Sequence, residues 1–317
     1  MTDAPKPTCN NLALVLKAMA DPLRIQVLKV LGESSFGVLE LSQIFTMKQS
    51  GMSHHLKTLA TANLVTTQRE GNSIFYRRSL EDAFDVQQTI FSAIDDTVFD
   101  EQVLTNLNVI ENERELNSQA FFAKHATQFK QQQDLIAQYA SYQSLCEEMM
   151  LSLNAPHDHA IEIGPGQGEF LLALAKQYKK VLALDVSKAL LDIAQNTCKQ
   201  ANLNNIEFKL DDLQNLSKPN ADLIVLNMVL HHITRPQAFI LQASRLLKQT
   251  GHLMITDLCQ HDQQWAKESC ADLWLGFSQL QLENWAQKAR LNLTKTSFVA
   301  MRNGFQVQCL LFSKTNI

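Results

Sequence analysis

Gly164, Gly166 and Gly168 stand at alternate positions, directly after the apolar run Ala160-Ile161-Glu162-Ile163 and directly before a helical stretch that begins at Phe170. A backbone stripped of Cβ atoms can turn sharply there and approach a ligand closely. A second apolar run, Val181 to Leu184, ends in Asp185, 21 residues past the first glycine, where a carboxylate can accept both hydroxyls of a ribose. A dinucleotide would also satisfy these features, so what accompanies them decides. The spacing is one residue shorter than the Gly-x-Gly-x-x-Gly that cradles a pyrophosphate, and an acid, Glu162, precedes the first glycine by two.

His231 and His232 follow another apolar run, Ala221 to Asn227, at the carboxyl end of an expected strand, where open α/β sheets bind ligands. Imidazole titrates near neutrality, so the pair is the catalytic candidate for removing a proton; the competing reading is that it caps or packs. Asp257 and His261, after the next strand, carry the same two readings. Six scattered cysteines form neither a Cys-x-x-Cys nor an even framework, which excludes a disulfide scaffold and a zinc ribbon, and no metal site is expected. No Asn-Pro-Pro-Tyr, Asp-Pro-Pro-Tyr or Pro-Cys follows the run Ala221 to Asn227, so no motif for stacking on a nucleic-acid base or adding to its ring is present there. The stretch Ala266 to Phe277 offers a small ligand pocket roofed by Trp274 and Phe277, or else core packing.

The elements that must position these groups follow from periodicity. Beyond Asn154-Ala155-Pro156, short apolar runs alternate with amphipathic helices, the pattern of a doubly wound α/β sheet. The first hundred residues differ. Helices are expected over Asn11 to Ala20, over Leu23 to Leu31 with Asp21-Pro22 as its start, over Leu39 to Phe45 and over Ser50 to Ala62. The connection Thr46 to Gln49 has the length a helix-turn-helix needs. Leu64 to Arg69 and Ser73 to Arg78 then alternate as strands around Glu70-Gly71-Asn72, so the whole makes a winged helix. An acidic helix is expected over Leu80 to Leu107. Residues 111 to 150 look helical, either as connecting helices or as a lid bearing Phe121, Phe122, Phe129, Tyr139 and Tyr142.

At 317 residues the chain predicts two domains; with 45% hydrophobic and 19% charged residues it belongs with soluble globular proteins. Its net charge of −4 excludes nothing, but Pro22 to Ser79 holds seven basic against three acidic residues. No apolar run reaches the ~20 residues of a membrane span and the N-terminus lacks a signal segment, so a cytoplasmic protein without a membrane partner is expected. The expected division is 1–108, 109–152 and 153–317.

Ala20-Asp21-Pro22-Leu23-Arg24, Leu41-Ser42-Gln43, Ser53-His54-His55-Leu56-Lys57-Thr58-Leu59, Arg69-Glu70-Gly71-Asn72 and Tyr76 resemble the ArsR/SmtB-type winged-helix repressors over most of residues 10 to 105. The resemblance implies a homodimer on an inverted repeat of double-stranded DNA, with half-sites about 34 Å apart. Gln49, Ser50 and Ser53 are then placed to reach base edges, His54 and Lys57 a base or phosphate, and Arg69 and Arg77 the backbone phosphates. The family's metal-binding cysteine pair would fall at Gly37 and Leu39, which cannot ligate a metal.

Residues 155 to 317, with Glu162, the three glycines, Asp185 and the strands that follow, resemble class I S-adenosylmethionine-dependent methyltransferases. The resemblance implies a Rossmann-like α/β domain with S-adenosylmethionine as cofactor. It places Glu162, Gly164, Gly166, Gly168, Asp185 and Asn227 at the cofactor, with Asp212 accepting from the adenine amino group and Leu213 offering its backbone N–H. A DNA-binding regulator that methylates a small molecule is therefore expected. The alternative is a non-catalytic repressor that senses S-adenosylmethionine or S-adenosylhomocysteine.

Overall fold

The structure, a computed structural model, describes residues 8–70, 73–79, 85–153, 157–217, 220–263, 265–270 and 272–314. The expected turn at Gly71-Asn72, the start of the acidic helix at Leu80 with Glu81 and Asp82, and the boundary Asn154-Ala155-Pro156 lie outside the described residues. The chain divides into two compact units, Met1–Arg114 and Glu115–Ile317.

In the first unit, α1 (Cys9–Met19) starts where the Thr8 hydroxyl accepts from the Asn11 N–H, and α2 (Pro22–Glu33) where the Asp21 carboxylate accepts from the Arg24 N–H. Then come β1 (Phe36–Gly37), α3 (Val38–Ile44), α4 (Gln49–Thr61), β2 (Val65–Glu70) and β3 (Ser73–Arg78), so a helix, a turn, a helix and an antiparallel hairpin follow in the expected order. The short β1 pairs with β3, adding a third strand the periodicity did not signal. On α4, Met52, Leu56 and Leu59 are buried and lock the helix to the core, which leaves the opposite face outward.

Part of the basic excess in this unit is internal. Lys29 is buried and donates to the carbonyls of Ile94, Asp95 and Thr97, while Arg78 is buried in a two-pronged pair with Asp95 at 2.7 and 2.9 Å. Two of the seven basic residues therefore hold the fold together. The same contacts explain why the expected helix over Leu80 to Leu107 is two: α5 (Asp85–Asp95) ends where Lys29 takes its last carbonyls, and α6 (Glu101–Ile136) starts where Asp100 accepts from the Gln102 N–H.

In the second unit, α7 (Tyr139–Leu151) precedes β4 (His159–Ile163), α8 (Leu171–Gln177), β5 (Lys180–Asp185), α9 (Lys188–Gln200), β6 (Ile206–Leu210), β7 (Ala221–Asn227), α10 (Pro236–Leu246) and β8 (Leu247–Leu258). After α11 (Trp265–Cys270) and α12 (Gln279–Lys288), β9 (Leu291–Ala300) and β10 (Gln306–Lys314) close a seven-stranded sheet of order β6-β5-β4-β7-β8-β10-β9. The pairs from β6 to β8 are parallel, and β10 runs antiparallel to both β8 and β9.

Alternation along the strands divides the core. Leu223 and Val225 face the side covered by α7 and α8, whereas Ile224 and Leu226 face α10 and α12. Strand order reverses at β4, which puts a ligand crevice outside the carboxyl ends of β4 and β7. Residues Lys248 to His252 run within β8, whose pairing with β7 shifts register between Ala221 and Leu223. There Gly251 passes so close to the Ala221 carbonyl that a Cβ would meet its oxygen at 2.8 Å.

Candidate functional site

The loop between β4 and α8 takes its shape from the three glycines: Gly164, Gly166 and Gly168 have φ of +63°, +53° and +78°. These left-handed values cost a side chain energy, and the space is also denied. A Cβ on Gly164 would stand 2.6 Å from the Val229 Cγ2, and one on Gly168 would stand 3.1 Å from the Ala194 backbone. The loop is tied at both ends, with the Gly164 N–H donating to Leu184 O at 2.8 Å and the Gly168 N–H to Pro165 O at 2.7 Å. A rigid strip of bare backbone results.

The polar groups around that strip are under-used within the protein. Glu162 is buried, its Oε2 has no hydrogen-bond partner, and burial pushes its carboxyl up to about 8. Asn227, at the end of β7, likewise keeps its Oδ1 buried without a partner. Asp185 ends β5, buried; its Oδ1 accepts from the Ser187 N–H at 2.7 Å, and burial raises it to about 6 against the backbone hydrogen bonds that pull it down. Asp212 accepts from the Gln214 N–H at the head of a 3₁₀ turn, Leu213–Asn215, in which Leu213 is buried. Orphaned buried acceptors beside a cradle that a Cβ would fill are what a polar nucleoside ligand needs, so the residues fit the expected cofactor.

Glu162 has a consequence for the ligand-free protein. A folded-state value of about 8, above the ordinary carboxyl, means the native state keeps a proton that the unfolded chain loses. Stability is therefore full below pH 4.5 or so and declines as pH rises toward about 8. Glu162→Gln removes this dependence. In thermal unfolding without cofactor we expect the variant to match the wild type near pH 5 and to exceed it at pH 8 by on the order of a few kcal/mol. Parallel curves across that range would show that Glu162 is ionised in the native state.

At the end of β7, His231 and His232 sit in a 3₁₀ turn, Leu230–His232, with ring centroids 4.0 Å apart. His231 is buried, and its Nδ1 lies 2.7 Å from Asp257 Oδ1. Burial alone would lower its value, but the carboxylates of Asp257 and Asp272 outweigh it and raise His231 to about 9. An imidazole so held keeps its proton at neutral pH, which makes His231 a poor general base. His232 is less buried. Asp257 lies inside β8 and not on a following loop, and His261 packs edge-on against Phe305 at 4.7 Å.

The aromatic residues expected around an acceptor are mostly core. Trp274 and Phe277 do not roof a pocket; they are buried with Trp285, with centroids 5.5 to 5.8 Å apart. Tyr139 and Tyr142 are buried edge to face at 5.4 Å among Cys146, Met149 and Met150. Phe122 and Phe129 lie outside the described side chains.

In the first unit, Gln49, Ser50, Ser53, His54 and Lys57 are all exposed along one face of α4, and His55 is half-buried beside them. Arg69 is exposed on β2, and the half-buried Arg77 on β3 donates from Nε to the Thr66 hydroxyl at 3.2 Å. The residue that sequence reasoning missed is Asp272, buried beside the histidine pair. No periodicity marks it; only the chain's return past β7 brings it there.

Two family models match the chain. One, described as a methyltransferase domain, covers residues 154–294; the other, tRNA (Uracil-5-)-methyltransferase, covers residues 35–218 and crosses the boundary between the two units. The ubiquinone biosynthesis O-methyltransferase of Coxiella burnetii is 32% identical over 102 residues, which are 32% of this chain and 43% of the relative, so the chain spans less than half the length of that protein. The arsenical resistance operon repressor of Staphylococcus xylosus is 34% identical over 71 residues, 22% of this chain and 68% of the relative. Among solved structures, magnesium protoporphyrin IX methyltransferase from Synechocystis superposes with a TM-score of 0.51 at 15% identity, covering 64% of this chain and all of that one, a likeness of fold. With the glycine loop, its flanking acids and the sheet order already in hand, these matches mean that the chain belongs to the S-adenosylmethionine-dependent methyltransferases.

Proposed function

We propose that this protein is a DNA-binding transcriptional regulator whose second unit binds S-adenosylmethionine and methylates a small molecule. The observation that carries the enzymatic half is the bare, left-handed glycine loop beside the partnerless acceptors of Glu162 and Asn227. S-adenosylmethionine supplies a methyl group already activated on a sulfonium, so the protein's task is to bind, orient and exclude water. With the cofactor bound, the loop backbone of Gly164 to Gly168 would face the adenosyl group, Asp185 would accept from the ribose hydroxyls, and Asp212 with the Leu213 N–H would select the adenine. His232, nearer solvent than His231, is the member of the pair able to take a proton from an acceptor.

A small acceptor is favoured over a uracil of tRNA. Methylation at a pyrimidine C5 needs a thiolate to add to the ring first. Burial pushes the thiols that follow β8 the wrong way, Cys259 to about 11 and Cys270 to about 12, and Cys309, which its hydrogen bond with Cys146 lowers, is fully buried inside β10.

The DNA-binding half rests on the exposed polar face of α4 beside Arg69, together with the repressor likeness. Gln49, Ser50 and Ser53 reach base edges, while His54, Lys57, Arg69 and Arg77 contact bases or phosphates. A homodimer places the two α4 helices on half-sites about 34 Å apart.

Two assays test the reading. The full chain with methyl-labelled S-adenosylmethionine and a metabolite extract should transfer label to a small molecule. Absence of label under all conditions, with the cofactor nonetheless bound, would leave a sensor. On an inverted-repeat duplex selected from a random library, we expect Arg69→Ala to weaken binding across sequences and to reduce the slope of log affinity against log salt by about one. Ser53→Ala should instead alter sequence preference; no salt-dependent binding to any duplex would remove the regulatory half.

A further inference from the structure

We propose that His231, His232 and Asp272 form a binding site for a divalent transition-metal ion of the zinc or iron(II) class, at the carboxyl end of β7. One ligand atom from each of the three lies within 4.8 Å of the others. Asp272 Oδ1 is 3.7 Å from His231 Nε2 and 3.7 Å from His232 Nδ1. Atoms bound about 2.1 Å from one ion stand about 3.4 Å apart at the tetrahedral angle; the two carboxylate–imidazole distances are within a few tenths of an ångström of that, and rotation of the less buried His232 ring would bring the third pair, now within 4.8 Å, into the same sphere.

The second observation concerns the other nitrogen of His231. Its Nδ1 faces Asp257 Oδ1 at 2.7 Å and keeps its hydrogen there, so Nε2 is the nitrogen that exchanges its proton for an ion. Nε2 is thereby turned to Asp272. A carboxylate holding the far side of an imidazole whose near side meets a further ligand is the outer-shell arrangement that fixes ring and tautomer in metal sites. Asp257 is itself held, accepting from the Leu258 N–H at 2.7 Å and the His231 N–H at 3.3 Å.

The third observation is that the fold builds this cluster from two distant segments. The N–H groups of Leu273 and Trp274 both donate to the His231 carbonyl, at 2.9 and 3.0 Å, and so pin Asp272 across the histidine pair. His231 and Asp272 are each 2% exposed, which leaves the less buried His232 as the side of entry.

Ligand chemistry narrows the ion. Two imidazoles and one carboxylate suit zinc, iron(II), cobalt or manganese and not the all-oxygen shells of calcium or magnesium. Three protein ligands leave positions open for an oxygen donor, as in catalytic and not structural sites. With an ion in place the histidines act as ligands and no longer take a proton directly. The proposal goes beyond the methyltransferase reading and does not depend on it: cofactor titration reads that one, metal content reads this one.

The test uses the full chain, stripped with a chelator, dialysed against micromolar zinc and passed through gel filtration before elemental analysis, with cobalt(II) as a spectroscopic probe. We expect one equivalent of zinc per chain and a cobalt spectrum with visible d–d bands but no thiolate charge-transfer band. His232→Ala and Asp272→Asn should each lose the equivalent or bind at least 10-fold more weakly. Asp257→Asn, which keeps all three ligands, should weaken binding 10- to 100-fold. If Asp272→Asn does not fold, His232→Ala at the less buried ligand decides alone. No zinc retained by the wild type, unchanged retention in His232→Ala, or thiolate bands in the cobalt spectrum each overturn the proposal.

Discussion

Replacing Gly164 by alanine should weaken S-adenosylmethionine binding by 100-fold or more, equivalent to about 2.7 kcal/mol, while leaving the second unit folded. Two costs fall on the same atom. The residue has φ of +63°, where alanine is strained, and its Cβ would stand 2.6 Å from Val229 Cγ2 and 3.2 Å from Cγ1. Valine is stiff at χ1 and cannot swing clear, so the loop must lift away from the end of β7. The strip of backbone proposed to face the cofactor is then occupied or displaced. Calorimetric titration measures the loss, and Gly164→Ala with Val229→Ala separates the causes. The second change removes the collision but leaves the new methyl group and the backbone strain, so thermal stability should recover in part while affinity does not. Binding within a few-fold of wild type in the single variant would mean that the cofactor does not use this loop.

Gly276→Ala should be the most damaging single methyl addition in the second unit. At φ of +70° its Cβ would meet the Cys259 carbonyl oxygen at 2.2 Å, the carbonyl carbon at 2.6 Å and Leu258 O at 2.8 Å. All three are backbone atoms, which no rotamer change can move. The segment is also fixed by the hydrogen bonds Phe277 N–H to Leu258 O, Gln260 N–H to Phe277 O and His261 N–H to Leu275 O, so relieving the contact breaks a bridge between the chain after β8 and Phe277. We expect a loss of about 3 kcal/mol or more in chemical denaturation. The fluorescence of Trp274 and Trp285, both buried beside Phe277, reports it directly. A loss below about 1 kcal/mol would show that the segment can slide, and would remove the rigid support inferred for Asp272.

These two glycines differ in how much of their role could be read in advance. Gly164 belongs to a local pattern in which strand, glycines, helix and a downstream acid lie along one stretch of chain, so the requirement for bare backbone is written in neighbouring letters. Gly276 sits in Leu-Gly-Phe, with no companion to signal it, because what it avoids is the carbonyl of Cys259, seventeen positions away.

The same division holds throughout. By itself the sequence determined the two kinds of architecture, the helix-turn-helix and hairpin order, the exposed face of α4, the β–α alternation and the cradle with Glu162 and Asp185. Each rests on periodicity, capping or backbone freedom, which act within a few residues. Only tertiary structure decided that Lys29 and Arg78 are internal and that Trp274 and Phe277 are core. Tertiary structure also put Asp272, remote in the chain, beside His231 and His232 and held it there. Those outcomes depend on which segments cross in space, and a carboxylate or an indole carries no local mark of the partner it will meet.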